Sequence, residues 1–147
     1  MANKSAILRL ARVRLAETES ALGGIPLDAF FVFGEYSHFS KPRGFGVTFI
    51  QHGEPCEVRL SDKLTRATLG RVDAIIRHEI GHVVDALCPA DWLDAWAKHR
   101  GVPLPRTPEV RADKIAEAVW AEPLLYDSDT VQNTVTGTPK RPAHLGL

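Results

Sequence analysis

The chain of 147 residues contains little cysteine, has no long apolar segment and carries no excess of charge of either sign. Its two cysteines, Cys56 and Cys88, are too few for a disulfide scaffold, and we interpret them as free thiols rather than as a bridge or a metal pair. No apolar run approaches the roughly 18 residues that cross a bilayer. The first twenty residues mix cations with apolar residues, unlike a secretory signal, so we expect a cytoplasmic protein without a membrane partner.

The charges of the chain cancel. Lysine and arginine together number 18, and so do aspartate and glutamate. A balanced chain creates no net field that attracts nucleic acid, so no nucleic-acid partner is expected. Apolar periodicity continues to about Tyr126 and is lost after it, which predicts one domain over residues 1–126 and an extended or mobile tail over residues 127–147.

The spacing of apolar residues changes along the chain and separates helical segments from strand-like ones. A helical segment over residues 5–22 is followed by three runs rich in β-branched and aromatic residues, which predict strands at 30–36, 44–50 and 56–60. The short connections between these runs favour a small antiparallel sheet. From residue 69 the period becomes helical up to Leu87, and Thr107 followed by Pro108 predicts the start of a last helix. This order predicts an α+β domain.

The motif "HEIGH", residues 78–82, lies inside the strongest helical pattern. Residues four apart share one face of a helix, so His78 and His82 can direct imidazole nitrogens at one metal ion. Glu79 is offset around the helix, where it can take a proton from a metal-bound water whose pKa zinc lowers to roughly 7. The pattern therefore predicts a zinc site with a glutamate base. The alternative is a pair of solvated histidines on a surface helix.

A catalytic zinc site usually has three protein ligands, and the motif supplies two. Asp85 lies three residues past His82, too far along the helix to be a ligand, but it can orient His82 or simply face solvent. The last predicted helix carries Glu109 and Asp113 one turn apart, beside an apolar stripe that can pack on the motif helix. Either carboxylate is a candidate third ligand, although acidic residues also suit the first turn of any helix.

The combination of HExxH with a later helical "ExxxD" resembles the gluzincin metallopeptidases, and "EVRADKIA" is similar to a helix of the small ImmA/IrrE-type peptidases. The resemblance covers residues 56–121. It implies a minimal zincin-like domain in which His78, His82 and Glu109 bind zinc, Glu79 is the base and Asp113 supports a ligand histidine. It also implies that a strand before the motif helix, "CEVRL", is an edge that binds extended peptide by strand addition.

Other interpretations stay open at this stage. In a second register "DKIAEA" resembles lethal-factor-like peptidases, and Asp113 would then be the ligand. The function expected is zinc-dependent endopeptidase activity on a protein or peptide. The alternatives are a zinc-binding interaction module without activity and a SprT-like DNA-associated protease. An oxyanion stabiliser is also expected, for which the candidates are His38, His52 and Tyr126.

Overall fold

The computed structural model describes residues 2–51 and 53–126. In this part of the chain four α-helices and three strands form an α+β arrangement, which confirms the predicted fold class. Their bounds are α1 Lys4–Ala21, β1 Ala29–Phe33, β2 Gly46–Phe49, β3 Cys56–Leu60, α2 Leu69–Leu87, α3 Ala90–His99 and α4 Pro108–Trp120. The predicted tail over residues 127–147 lies outside the described residues, as does His52.

The sheet is mixed, and the prediction of a purely antiparallel sheet is wrong. Its strand order is β1-β3-β2, with β1 parallel to β3 and β2 antiparallel to β3. The segment from residue 34 to 45 contains a short 3-10 helix, Ser37–Ser40, and is long enough to separate β1 from β2, whereas the shorter β2–β3 connection permits an antiparallel pair. The strand "CEVRL" is therefore central, and the edges of the described sheet are β1 and β2.

One face of the sheet packs on the motif helix. Burial alternates along β3, as expected for a strand with one face on the core. Helix α2 begins at its cap Thr68, whose hydroxyl accepts the Arg71 N–H at 3.2 Å. Six apolar residues of α2 are buried and join residues from the sheet and the other three helices in one core: Val72, Ile75, Ile76, Ile80, Val83 and Val84. This burial holds the motif helix firmly between the sheet and α4.

Helix α4 lies close against α2 because Gly81 has no side chain. A Cβ atom at Gly81 would lie 2.3 Å from the carbonyl oxygen of Ala112, which is a backbone atom of α4. Ala112 and Ala116, both buried, give α4 a small-residue face at this crossing. The glycine in the middle of HEIGH thus sets the distance between the two helices.

Among the described residues no helix has the length and apolar character that crossing a membrane requires.

We expect Gly81→Ala to destabilise the fold by about 1–3 kcal/mol or more, because the new methyl group forces α4 away from α2. Urea denaturation measures the change. Gly70→Ala is the matched control in the same helix, since a Cβ there meets no heavy atom within 4 Å. That variant should be as stable as the wild type or more stable by up to about 1 kcal/mol. Equal stability of the two variants would contradict the close-packing account.

Candidate metal centre

The two motif histidines meet at one point beside α2. The side chain of His78 is fully buried and that of His82 is 3% exposed. Their Nε2 atoms are 3.0 Å apart, and the rings stand edge to face with centroids 4.6 Å apart. Both imidazoles therefore direct the same nitrogen to a shared position, as helical i, i+4 spacing allows.

Helix α4 brings a carboxylate to the same position. Glu109, in the first turn of α4, has its Oε1 atom 3.0 Å from His78 Nε2 and 3.1 Å from His82 Nε2. The three atoms form a nearly equilateral triangle of potential ligand atoms on buried residues, a group that can hold a metal ion. The structure thus brings His78, His82 and Glu109 together, which is the set that the resemblance to gluzincins implies.

The other polar contacts of the triangle indicate that it accommodates positive charge. Nδ1 of His78 lies 2.7 Å from Asp113 Oδ1, so neutral His78 donates there and its Nε2 carries a lone pair. That lone pair faces the Glu109 carboxylate, an arrangement that is favourable only with a proton or a cation between them. Burial alone lowers the pKa of His78, but hydrogen bonds to Asp113 and Glu109, together with the negative charges of Glu79 and Asp113, raise the pKa to about 10.

Glu109 shows the complementary effect. Burial raises the pKa of its carboxyl group, but hydrogen bonds with His78 and His82 outweigh this and lower the pKa to about 2. Its second oxygen, Oε2, is buried and has no hydrogen-bond partner among the residues that the structure describes. A buried carboxylate that stays ionised needs a cation or several donors beside it. The donor set therefore fits a divalent metal ion.

Asp113 lies behind His78 rather than in the triangle. Its Oδ1 accepts hydrogen bonds from His78 Nδ1 at 2.7 Å and from the Tyr126 hydroxyl at 2.9 Å. A carboxylate in this position fixes the tautomer and the orientation of a ligand histidine. The geometry favours Glu109 as the third donor of the triangle and Asp113 as the partner that orients His78.

Glu79 points to the sheet side of the group. It is fully buried, and its Oε1 accepts a hydrogen bond from the Thr48 hydroxyl at 2.7 Å. Its Oε2 is buried without a hydrogen-bond partner among the described residues. Burial raises the pKa of Glu79, which makes the carboxylate a stronger base. Such a group is suited to proton transfer.

Asp85 has a different partner from the one expected. Its Oδ1 accepts a hydrogen bond from Arg111 Nε at 2.7 Å, and Arg111 also pairs with Asp94 at 2.8 Å. The carboxylate is held by this guanidinium on α4, so the idea that Asp85 orients His82 is wrong. The Arg111 pairs connect α2, α3 and α4 and stabilise the helix packing around the site.

Two of the three candidate oxyanion stabilisers, His38 and Tyr126, belong to the described residues, where they contact Tyr36 and Asp113. His38 lies between β1 and β2, where its ring stacks on Tyr36 with centroids 5.5 Å apart. The Tyr126 hydroxyl donates to Asp113, behind His78. Sequence reasoning also missed Thr48, because a threonine in a strand carries no signal of the distant helix that it contacts.

Comparisons of this chain with family models, with curated proteins and with solved structures found no match. The likeness to gluzincins and ImmA/IrrE-type peptidases therefore rests on the motif and its spacing.

Proposed function

We propose that this protein is a zinc-dependent metallopeptidase with a zincin-like domain. The observation that carries the proposal is the buried Glu79 carboxylate, which lies between the two histidines in sequence but is not one of the three converging donors. A zinc site that only stabilises a fold has no use for such a group, whereas hydrolysis needs a base beside the metal. Two imidazoles and a carboxylate are also a donor set that zinc accepts.

The distances between the donors support a tetrahedral ion. Zinc ligands at about 2.0–2.1 Å from a tetrahedral ion are separated from each other by roughly 3.3 Å. The three donor atoms are 3.0, 3.0 and 3.1 Å apart, so a few tenths of an ångström of movement is enough. A tetrahedral ion held by these three residues would have one position left for water or substrate.

In this proposal His78, His82 and Glu109 hold the zinc and Asp113 keeps His78 in the correct tautomer. Bound zinc supplies a Lewis acid that polarises the scissile carbonyl and lowers the pKa of water to roughly 7. Glu79 takes the proton of the attacking water and passes it to the leaving amine. Its buried position supports this role, because burial raises its pKa and brings it nearer to that of its proton donor.

The substrate that we propose is an extended peptide. Strand β2, which is an edge of the described sheet, carries Thr48 in contact with Glu79, so a peptide paired with this edge would pass close to the base. The edge that binds a peptide, which was expected to be "CEVRL", is therefore β2 in this proposal. Neutral net charge favours a protein substrate over nucleic acid and disfavours the SprT-like alternative. Two free buried thiols suit a reducing compartment such as the cytoplasm.

The test is cleavage of an unstructured protein by the zinc-loaded wild type, followed by mass spectrometry of the products. We expect new peptide termini, inhibition by 1,10-phenanthroline and recovery on addition of zinc. Stoichiometric zinc without cleavage of any unfolded substrate would contradict the proposal. That result would support the interaction module without activity, which the nearly complete burial of both histidines also favours.

A further inference from the structure

We infer that Thr48 is a positioning residue for the base Glu79, an inference that rests on the proposed function. Thr48 lies on β2 with no exposed surface, and its hydroxyl donates to Glu79 Oε1 at 2.7 Å. The same hydroxyl lies 3.2 Å from the backbone carbonyl oxygen of Glu79. A buried hydroxyl whose two contacts are both on one residue fixes the position of that residue.

The contact distinguishes the two oxygens of the carboxylate. Oε1 is held by Thr48, while Oε2 is buried and has no hydrogen-bond partner in the described part of the chain. A base needs one free oxygen to receive a proton and a fixed orientation toward the donor. With Oε1 held, the proton is accepted at Oε2, and Thr48 can continue to donate to Oε1 after the transfer.

Strand β2 also provides the space for this carboxylate. Gly46 and Thr48 are two residues apart and face the same side of the sheet, toward α2. A Cβ atom at Gly46 would lie 3.3 Å from Glu79 Cγ and 3.5 Å from Oε2. The register with β3, Gly46 opposite Leu60 and Thr48 opposite Val58, fixes both positions. Strand β2 thus donates a hydrogen bond to Glu79 from Thr48 and leaves space for the Glu79 side chain at Gly46.

Thr48→Val removes the hydroxyl and keeps the shape. We expect kcat to fall about 10- to 100-fold, less than the loss caused by Glu79→Gln, because the base remains but loses its orientation. KM and zinc affinity should stay within about twofold, since Thr48 is fully buried and its hydroxyl contacts Glu79, which is not one of the three converging donors. Thr48→Ser restores the donor and should recover kcat to within about threefold of wild type. Gly46→Ala, which crowds the same carboxylate, should also lower kcat and leave zinc bound.

A thermal double-mutant cycle tests the contact without any activity measurement. Thr48→Val should lower the Tm by several degrees in the wild type and by much less in the Glu79→Ala background, because the partner is already gone. Equal losses in both backgrounds would overturn the inference whatever the activity. An unchanged kcat in Thr48→Val, in a wild type that cleaves, would overturn it as well. Coupled Tm losses in a wild type that cleaves nothing would support the contact and contradict the proposed peptidase.

Discussion

Glu109→Ala should leave the purified protein almost free of zinc. The variant keeps only His78 and His82 as protein donors, whereas a catalytic zinc usually has three. It also removes the negative charge that offsets a dication in this buried place. Since loss of a group behind a ligand already costs 10–100-fold in affinity, loss of the ligand itself should cost more than about 100-fold. Metal content by mass spectrometry and competition with a chelator measure the change.

Two matched variants make this prediction specific. Asp113→Ala removes the acceptor behind His78 and should weaken zinc about 10–100-fold without emptying the site. Asp85→Ala should leave zinc affinity unchanged, because its carboxylate pairs with Arg111 rather than with a ligand histidine. If Asp113→Ala loses zinc while Glu109→Ala retains it, the ligand is one turn further along α4 than the structure indicates.

Glu79→Gln should bind zinc as the wild type does and should lose most of its turnover. The amide has nearly the same shape and can still accept the Thr48 hydrogen bond, but it cannot take a proton. General-base catalysis contributes about 10²–10⁴-fold, and we expect kcat to fall by a factor in that range. Zinc affinity should stay close to that of the wild type, because Glu79 is not one of the three converging donors.

The control for Glu79→Gln is Glu117→Gln, the same substitution at a position on α4 where the carboxylate pairs with Lys114. This variant should retain both zinc and full turnover. The Glu79→Gln and Glu117→Gln variants are compared at equal zinc occupancy on the same substrate. Near wild-type cleavage by Glu79→Gln would exclude this residue as the base.

Local spacing was sufficient to identify His78 and His82 and to limit the third donor to Glu109 or Asp113. His78 and His82 are one turn apart on a helix whose long apolar stripe could be recognised in the sequence, and Glu109 and Asp113 are one turn apart on the next long helix. Their meeting required only that two apolar faces pack together, and Gly81 allows the close approach at this crossing. The choice between Glu109 and Asp113 needed the crossing geometry of α2 and α4, which no local pattern contains.

The strand order and the contacts of Asp85 and Thr48 with other elements could not be predicted. Pairing of β1 with β3 depends on how the chain from residue 34 to 45 passes the sheet, and the hydrophobic pattern of each strand is the same in either arrangement. Asp85 looked like a partner for His82 along one helix. The structure shows that this carboxylate pairs with Arg111, a cation on another helix. Thr48 meets Glu79 only because of the same long-range strand placement.

X-ray absorption at the zinc edge of the purified wild type tests the donor set most directly. We expect four-coordinate zinc with nitrogen and oxygen neighbours at about 2.0–2.2 Å and the outer-shell scattering of two imidazoles. We expect no sulfur neighbour, since Cys56 and Cys88 are not part of the donor group. Zinc with a sulfur neighbour at about 2.3 Å, or with fewer than two imidazoles, would contradict the account.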